Sequence, residues 1–344
     1  MVKNISMSSN QPKKDKIRVA FIYKSSYGYM SQSYYDTTMY NFFMVALKRN
    51  KRLDVSYFPS QNDFDTSQIK DKFDVILIPN NNTDGTPNLI GIERLNIPVI
   101  SRTGDPHSAK RLGQFQYHEK FKINYYFNFM PESYFYKFYP RDFRYKTIVW
   151  GLEPSIYQNL TPFKERIKDK IVNSGQIGNI KLKSRIANRI LNPRRSNWYF
   201  YKLRTMCSVL PYVEQHPWWN DDPVTKKKKF VGNDYPLLLA MYRGATAATT
   251  FYPTIKYYEV PAAGCLTFME INDFNDATFL GFQDKKSAVF INEKNYKQKF
   301  QEFLESPDEP EWENIAKKGR EHALKELSND KAVESLVDLM DKLI

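Results

Sequence analysis

The residues with the clearest chemical potential lie between positions 250 and 264, where Lys256 and Glu259 are three residues apart. This spacing places both side chains on one face of a helix. Such a helix would follow a predicted strand and stand at the carboxyl ends of parallel strands, where α/β proteins bind ligands. There Lys256 could add positive charge beside a phosphate, and Glu259 could accept sugar hydroxyls. On charge spacing alone, a surface ion pair is the favoured explanation of the two residues.

A second candidate follows the predicted strand that ends at residue 100. Asp105 and His107 would lie at the carboxyl end of that strand and face a second domain across a cleft. His107 could contact a reacting hydroxyl group, with Asp105 orienting it or acting as the base. The sequence Gly-Asp-Pro-His is also ordinary turn chemistry.

The loop after the first predicted strand contains Ser26 and Gly28. It has too few glycines for a dinucleotide fingerprint. We expect it to line the side of the cleft that binds the second substrate.

Motifs of several other enzyme classes are missing. The sequence has no Gly-x-Ser-x-Gly elbow, no Gly-Lys-Ser/Thr phosphate loop and no His-Glu-x-x-His pair, so hydrolase, kinase and metalloprotease functions lack their minimum parts. Only Cys207 and Cys265 are present, too few and too far apart for a disulfide framework or a zinc cluster. We therefore predict no metal site and a reducing compartment.

The chain is basic, with 51 Lys and Arg against 38 Asp and Glu and a net charge of +13. Such an excess attracts polyanions: nucleic acid, anionic lipid headgroups or diphosphate-bearing substrates. The basic residues concentrate in 181–204 and 226–229. No apolar run is long enough to span a membrane, and residues 1–16 lack the apolar centre of a signal peptide. We expect a cytoplasmic protein that can associate peripherally with the inner face of the membrane.

These candidate residues require a sheet to position them, and 344 residues exceed the size at which one core keeps growing. Alternating strand and helix patterns predict parallel sheets in two domains. The predicted strands are 17–23, 53–58, 74–78, 97–100, 146–150, 170–173, 207–210, 245–251 and 265–269. The predicted helices are 33–48, 88–95, 183–191, 235–243, 256–263, 294–304 and 312–344, the last with a break at 327–330.

The stretch 256–266, Lys-Tyr-Tyr-Glu-Val-Pro-Ala-Ala-Gly-Cys-Leu, resembles the donor-site motif of GT-B glycosyltransferases. The similarity is greatest to the spore-maturation-protein type with a glycosyl-transferase family 1-like C-terminal domain. Further pieces match in order at 149–157, 172–175, 234–239 and 312–320, so the resemblance covers roughly residues 146–340. It implies the GT-B fold, an α/β architecture of two Rossmann-like domains facing across a cleft.

Carried over residue by residue, the resemblance places Glu259 on the donor ribose and Gly175 with the Ala263–Gly264 turn near the diphosphate. It sets Arg185 or Lys256 opposite the diphosphate charge, which basic side chains can stabilise without a metal. Many retaining relatives carry a second Glu eight positions before the first. That position is Phe251 here, so the stereochemical outcome stays open.

The implied domains are a flexible tail (1–16), an acceptor-side domain (17–150), a donor-side domain (151–325) and a C-terminal helix (326–344) that returns to the first domain. The implied function is transfer of a sugar from a nucleotide-sugar to a glycan, lipid-linked or protein acceptor. No cofactor, no metal and no specific nucleic acid are expected. Two alternatives remain from the sequence: a basic nucleic-acid-binding protein, and a non-catalytic GT-B relic that acts as a binding subunit.

Overall fold

The computed structural model describes residues 15–27, 42–178, 180–191, 200–216 and 234–344. Six strands of the first half form one sheet in the order β2-β1-β4-β6-β7-β8, and every neighbouring pair is parallel. These strands are β1 (Ile17–Lys24), β2 (Leu53–Ser60), β4 (Val75–Ile78), β6 (Val99–Arg102), β7 (Ile123–Asn128) and β8 (Tyr145–Thr147). Two short strands, β3 (Asp63–Asp65) and β5 (Asn88–Ile90), pair separately. All four residues of β4 are buried, as expected for a strand covered on both faces.

The α-helices in the described part of the first half are short. They are α1 (Leu47–Arg49), which continues a π-helical turn (Phe42–Ala46), α2 (Gln116–Lys120) and α3 (Glu132–Phe135). The predicted helix 33–48 is therefore helical from residue 42, and its earlier part lies outside the described residues.

Five strands of the second half form another parallel sheet, in the order β10-β9-β11-β12-β13. The strands are β9 (Ile167–Ser174), β10 (Val213–His216), β11 (Tyr242–Ala247), β12 (Leu266–Glu270) and β13 (Val289–Ile291). The helices are α4 (Leu182–Leu191), α5 (Lys202–Cys207), α6 (Tyr235–Leu239), α7 (Lys256–Ala262), α8 (Tyr296–Glu305), α9 (Pro310–Glu326) and α10 (Asn329–Met340).

Both sheets have a point where the strand order reverses. In the first sheet the chain leaves β1 for β2 on one side and returns to β4 on the other. In the second it leaves β9 for β10 and returns to β11 on the opposite side. Ligands of open α/β sheets bind in the crevice at the carboxyl ends of the strands at such a point. A ligand site of the second sheet is therefore expected at the loops after β9 and β11.

Helix α10 connects the end of the chain to the first half. Its apolar side chains, among them Val333 and Leu336, belong to the same buried cluster as the residues of β1. At its start, Asn329 holds the segment between the sheets: its Oδ1 accepts from Gly151 N at 2.7 Å, and its own N donates to Leu152 O at 2.7 Å. The crossover between the two halves is thus fixed by the C-terminal helix.

Two predicted elements are wrong. Residues 88–95 form strand β5 and a 3-10 turn (Ile92–Arg94) instead of a helix, because Gly91 adopts φ +81° and Asn88–Ile90 pairs with β3. Residues 207–210 are not a strand. Cys207 ends helix α5, where it packs with Leu203 one turn earlier, and the strand follows as β10.

Candidate functional site

A glycine directly after strand β9 brings the backbone close to two cations. Gly175 has φ +104°, a conformation that side-chain-bearing residues rarely adopt. A Cβ atom at this position would lie 2.8 Å from Cε of Lys256 and 3.1 Å from Nη1 of Arg204. The predicted residues Gly175 and Lys256 therefore meet at the carboxyl end of β9, together with an arginine that the sequence interpretation missed.

Lys256 lies at the start of helix α7 and is buried. Its Nζ donates to Tyr235 Oη at 2.8 Å and to Ser174 Oγ at 3.1 Å, and it lies 4.5 Å from the centre of the Tyr235 ring. Burial lowers the pKa of Lys256, while the nearby Glu259 carboxylate opposes that shift. The ammonium group is thus held rigidly beside Gly175.

Arg204, on helix α5, is the second buried cation. Its Nη1 donates to Gln176 O at 3.3 Å, and its guanidinium lies 4.7 Å from the centre of the Tyr201 ring. Its Nε and Nη2 atoms are buried and have no hydrogen-bond partner among the described residues. Buried donors are nearly always satisfied, so two unsatisfied donors on one guanidinium indicate a place for an anionic ligand.

Arg185 was predicted for this role. It lies within helix α4, and its side chain is outside the part of the structure that is described. The sequence interpretation chose the first arginine after the β9 loop. Arg204 lies one turn before Cys207 on a helix that the sequence did not predict, and this missed helix is why it was overlooked.

Glu259 is fully buried on helix α7, one turn after Lys256. Neither of its carboxylate oxygens has a hydrogen-bond partner among the described residues, and the same holds for the buried Tyr157 hydroxyl group. Burial raises the pKa of Glu259, and the Lys256 charge limits the rise. Because both residues are buried, the surface ion-pair explanation of their spacing is wrong.

Ala263 and Gly264 lie at the opposite end of the same helix. They follow α7 and precede β12, so they stand at the amino ends of the strands, about 10 Å along the helix from Lys256. Gly264 adopts φ +73°, and its carbonyl oxygen accepts from Arg166 Nη1 at 3.0 Å. The predicted position of this turn near the diphosphate is therefore wrong. The small residues Ala263 and Gly264 allow the tight turn into β12.

The predicted residues of the first half lie at the contact between the two halves. The His107 ring is 4.9 Å from that of Phe200, and its Nδ1 atom is 3.2 Å from Tyr134 Oη. Asp105 is exposed. The pKa of Tyr252, in the second half, is raised by the burial of Tyr252 and by the nearby Asp105 charge. Tyr134 and Tyr252 also touch, with ring centres 4.6 Å apart. His107 and Asp105 thus face the second half, as expected.

Aromatic rings continue from His107 into the second half. Phe138 lies on one side of His107, at 6.4 Å, and Phe200 on the other; Phe251 follows at 5.2 Å from Phe200 and Phe274 at 6.4 Å from Phe251. Phe138 and Phe274, at the two ends of this aromatic row, are exposed. Position 251 therefore extends an aromatic surface where some relatives carry a carboxylate.

The acceptor-side candidates are only partly described. Ser26 is exposed in the turn after β1, at the reversal point of the first sheet, whereas Gly28 lies outside the described residues. In the described ranges, no three His, Cys, Asp or Glu side chains are arranged to hold a metal ion.

Gly175→Ala is expected to weaken binding of a nucleoside diphosphate at least about tenfold. The added Cβ would displace the ends of Lys256 and Arg204, and the positive φ would itself cost about 1 kcal/mol of stability. Calorimetric titration with UDP measures the first effect and thermal unfolding the second. Gly113→Ala is the control, because Gly113 also has positive φ but its neighbour is the Gln116 side chain. Unchanged affinity in Gly175→Ala would contradict the site.

Two parallel α/β sheets, each with its reversal point and with residues of both halves in contact at the carboxyl ends, define the GT-B fold. Comparison with solved structures confirms this prediction. HepE from Anabaena in complex with UDP has a TM-score of 0.55 at 10% identity, over 95% of this chain and 100% of HepE. An α-glucosyltransferase in complex with UDP has a TM-score of 0.56 at 7% identity, over 94% and 100%. A glycosyltransferase from Rickettsia africae gives 0.50 at 10%, over 96% and 99%.

Residues 188–338 match the family model described as Glycosyl transferase-like. This range includes Arg204, Lys256 and Glu259 but leaves out Gly175 and His107. It covers less than half of the chain. No curated protein sequence matches the chain. Among the described helices, each is too short or too polar to cross a bilayer. The matched family, the α-glucosyltransferase and the Rickettsia africae protein are described as glycosyltransferases, in agreement with the class that the sequence resemblance implies.

Proposed function

We propose that this protein is a glycosyltransferase that moves a sugar from a nucleotide-sugar to a glycan, lipid-linked or protein acceptor. One observation carries the proposal. Two buried groups of opposite charge have unsatisfied hydrogen-bonding atoms: the Arg204 guanidinium, beside the carboxyl end of β9, and the Glu259 carboxylate, one turn along α7 from Lys256. The phosphate oxygens of a nucleoside diphosphate can accept hydrogen bonds from Arg204, and its ribose hydroxyls can donate to Glu259.

The diphosphate would lie over Gly175, between Lys256 and Arg204. When the bond to the sugar breaks, the departing diphosphate gains negative charge, and two cations fixed in a dry site stabilise that charge without reorganising. Arg204 contributes paired N–H donors and Lys256 a point charge. This arrangement supports transfer without a metal or other cofactor, as the sequence resemblance implies.

Glu259 would bind the ribose. An ionised carboxylate has only acceptor atoms, and its two oxygens match two neighbouring ribose hydroxyls. Burial and the Glu259 charge raise the pKa of the Tyr157 hydroxyl, and the Lys256 charge limits the rise in the pKa of Glu259. We assign no residue to the nucleobase of the donor. HepE and the α-glucosyltransferase were solved with UDP, which makes UDP the first nucleotide to test.

The acceptor would enter from the first half. His107 lies at the contact between the halves, where Tyr134 fixes its ring, and Asp105 is exposed beside it. We assign to His107 or Asp105 the removal of the acceptor proton. The aromatic row from Phe138 to Phe274 offers flat apolar faces on which sugar rings can stack, and Ser26 lies on the acceptor side.

The proposal is tested by a thermal-shift screen of nucleoside diphosphates and their sugars. A ligand at about 100 times its dissociation constant adds about 2.7 kcal/mol of stability. We expect one nucleotide to raise the melting temperature and its sugar to be consumed when a glycan or lipid-linked acceptor is added. Binding without consumption would favour the non-catalytic relic. Stabilisation by unrelated oligonucleotides alone would favour the nucleic-acid-binding alternative.

His107→Ala is expected to lower turnover about a hundredfold or more while donor affinity changes less than about twofold, since general acid–base catalysis contributes about 10²–10⁴. Turnover is followed by release of the nucleoside diphosphate, and affinity by titration. His118→Ala is the control, because His118 is half-buried and stacks on Phe143 and Tyr126, two residues of the core of the first half. Equal turnover in His107→Ala and the wild type would remove His107 from the mechanism and leave Asp105.

A further inference from the structure

Helix α4 exposes a row of aliphatic side chains. Leu182, Ile186 and Ile190 are 65, 52 and 73% exposed, and their four-residue spacing places them along one side of the helix. Ile180, just before the helix, is exposed as well. Single exposed apolar residues are ordinary, but a continuous row of them indicates an interaction surface. We call these four residues the α4 stripe.

The sequence around the α4 stripe is strongly basic. From Lys181 to Arg204 it contains eight Lys or Arg residues and neither Asp nor Glu. Lys181 and Lys183 are both exposed. The exposed aliphatic side chains of α4 and the basic residues in and beside it match a helix that lies flat in the interface of an anionic bilayer, with its aliphatic side chains below the headgroups and its cations at their level.

We propose that helix α4 inserts the α4 stripe into an anionic membrane surface. The proposal deepens the proposed function, because it places the transferase at lipid headgroups, where a lipid-linked acceptor would be found. Its evidence is separate from that for the donor site. Neither the stripe nor the adjacent lysines belong to the group formed by Gly175, Arg204, Lys256 and Glu259.

Other partners fit the surface less well. A second copy of the chain would bring two basic surfaces together, and like charges repel. A nucleic acid would be attracted by the cations but would gain little from aliphatic residues, because single-stranded bases bind by stacking on aromatic rings. The nearby aromatic residues Phe200 and Tyr201 are already engaged, with His107 and Arg204 respectively. Anionic lipid satisfies both the charge and the aliphatic character.

The test is co-sedimentation of the full chain with vesicles of phosphatidylcholine, alone or with about 30% phosphatidylglycerol, at low and high salt. The variant Leu182→Gln/Ile186→Gln/Ile190→Gln removes the stripe and keeps every charge. The control Val209→Gln/Leu237→Gln/Met241→Gln removes three apolar residues that are exposed elsewhere in the second half. Size-exclusion chromatography and binding to a single-stranded oligonucleotide are measured on the same proteins.

We expect the wild type and the control to bind the anionic vesicles, and the stripe variant to bind them at least about tenfold more weakly. Equal binding by the stripe variant and the wild type would overturn the proposal, as would absence of wild-type binding at low salt. The proposal would also fail if the stripe substitutions abolished a dimer or oligonucleotide binding and left vesicle binding intact. A wild type that binds UDP but no vesicles refutes this proposal alone; one that binds vesicles but no nucleotide refutes only the proposed function.

Discussion

Glu259→Gln should retain the fold and lose donor affinity by about ten- to hundredfold, equivalent to about 1.5–3 kcal/mol for charge-assisted hydrogen bonds. The reason is the burial of a carboxylate whose two oxygens have no partner in the described part of the protein. Gln replaces one acceptor by a donor and removes the charge, so two ribose hydroxyls can no longer both donate to it. Calorimetric titration with UDP measures the loss.

Stability separates this role from a structural one. Ionised Glu259 is buried with no hydrogen bond to its carboxylate oxygens among the described residues and is only partly compensated by the Lys256 charge, so removing its charge should leave the free energy of unfolding unchanged or raise it. Glu153→Gln is the matched control, since the buried Glu153 carboxylate accepts from Arg49 at 2.9 and 3.0 Å. We expect that variant to be destabilised and to bind UDP normally. A Glu259→Gln protein that is destabilised but binds UDP with wild-type affinity would show that Glu259 is structural.

Arg204→Gln should reduce affinity for UDP by roughly a hundredfold and leave affinity for uridine unchanged, because only the diphosphate meets the guanidinium. The substitution also removes two buried donors that lack partners, so it should not cost much stability. The difference between UDP and uridine is therefore the measurement that reports the role of Arg204. Equal loss for both ligands would indicate that the substitution distorts the site as a whole.

Arg243 provides the control for Arg204, because it is also buried but fully hydrogen-bonded. Its guanidinium donates to the carbonyl oxygens of Phe163, Lys164 and Pro307 and to Asp308. Arg243→Gln should lower the free energy of unfolding by about 2 kcal/mol or more and leave UDP affinity intact. If Arg204→Gln behaved like Arg243→Gln, the cation next to Gly175 would be a structural residue.

The sequence predicts most of the sheet framework because its strands are nearly uninterrupted apolar runs. The run at Val75–Ile78 was correctly predicted as a strand buried on both faces, and the helix from Lys256 was predicted from its spacing. The helix predicted at 88–95 failed because tertiary pairing with β3 overrides the local pattern. Short apolar runs do not distinguish strand from helix, which is why Cys207 was misassigned.

Only the part of the site that lies on one helix could be predicted from the sequence. Lys256 and Glu259 share a helix face, so their proximity follows from sequence. Arg204 reaches Gly175 through the packing of α5 against β9, a contact that no local pattern contains. Ala263 and Gly264 were misplaced for the converse reason: they are close to Glu259 in sequence, but helix α7 carries them to the opposite edge of the sheet.

Binding of a nucleoside diphosphate over Gly175, between Lys256 and Arg204, is tested by titration of the wild-type protein with UDP and, in parallel, with uridine. We expect UDP to bind at least about a hundredfold more tightly than uridine and this preference to disappear in Arg204→Gln. Equal affinity of the wild type for UDP and uridine, or a preference that survives in Arg204→Gln, would contradict it.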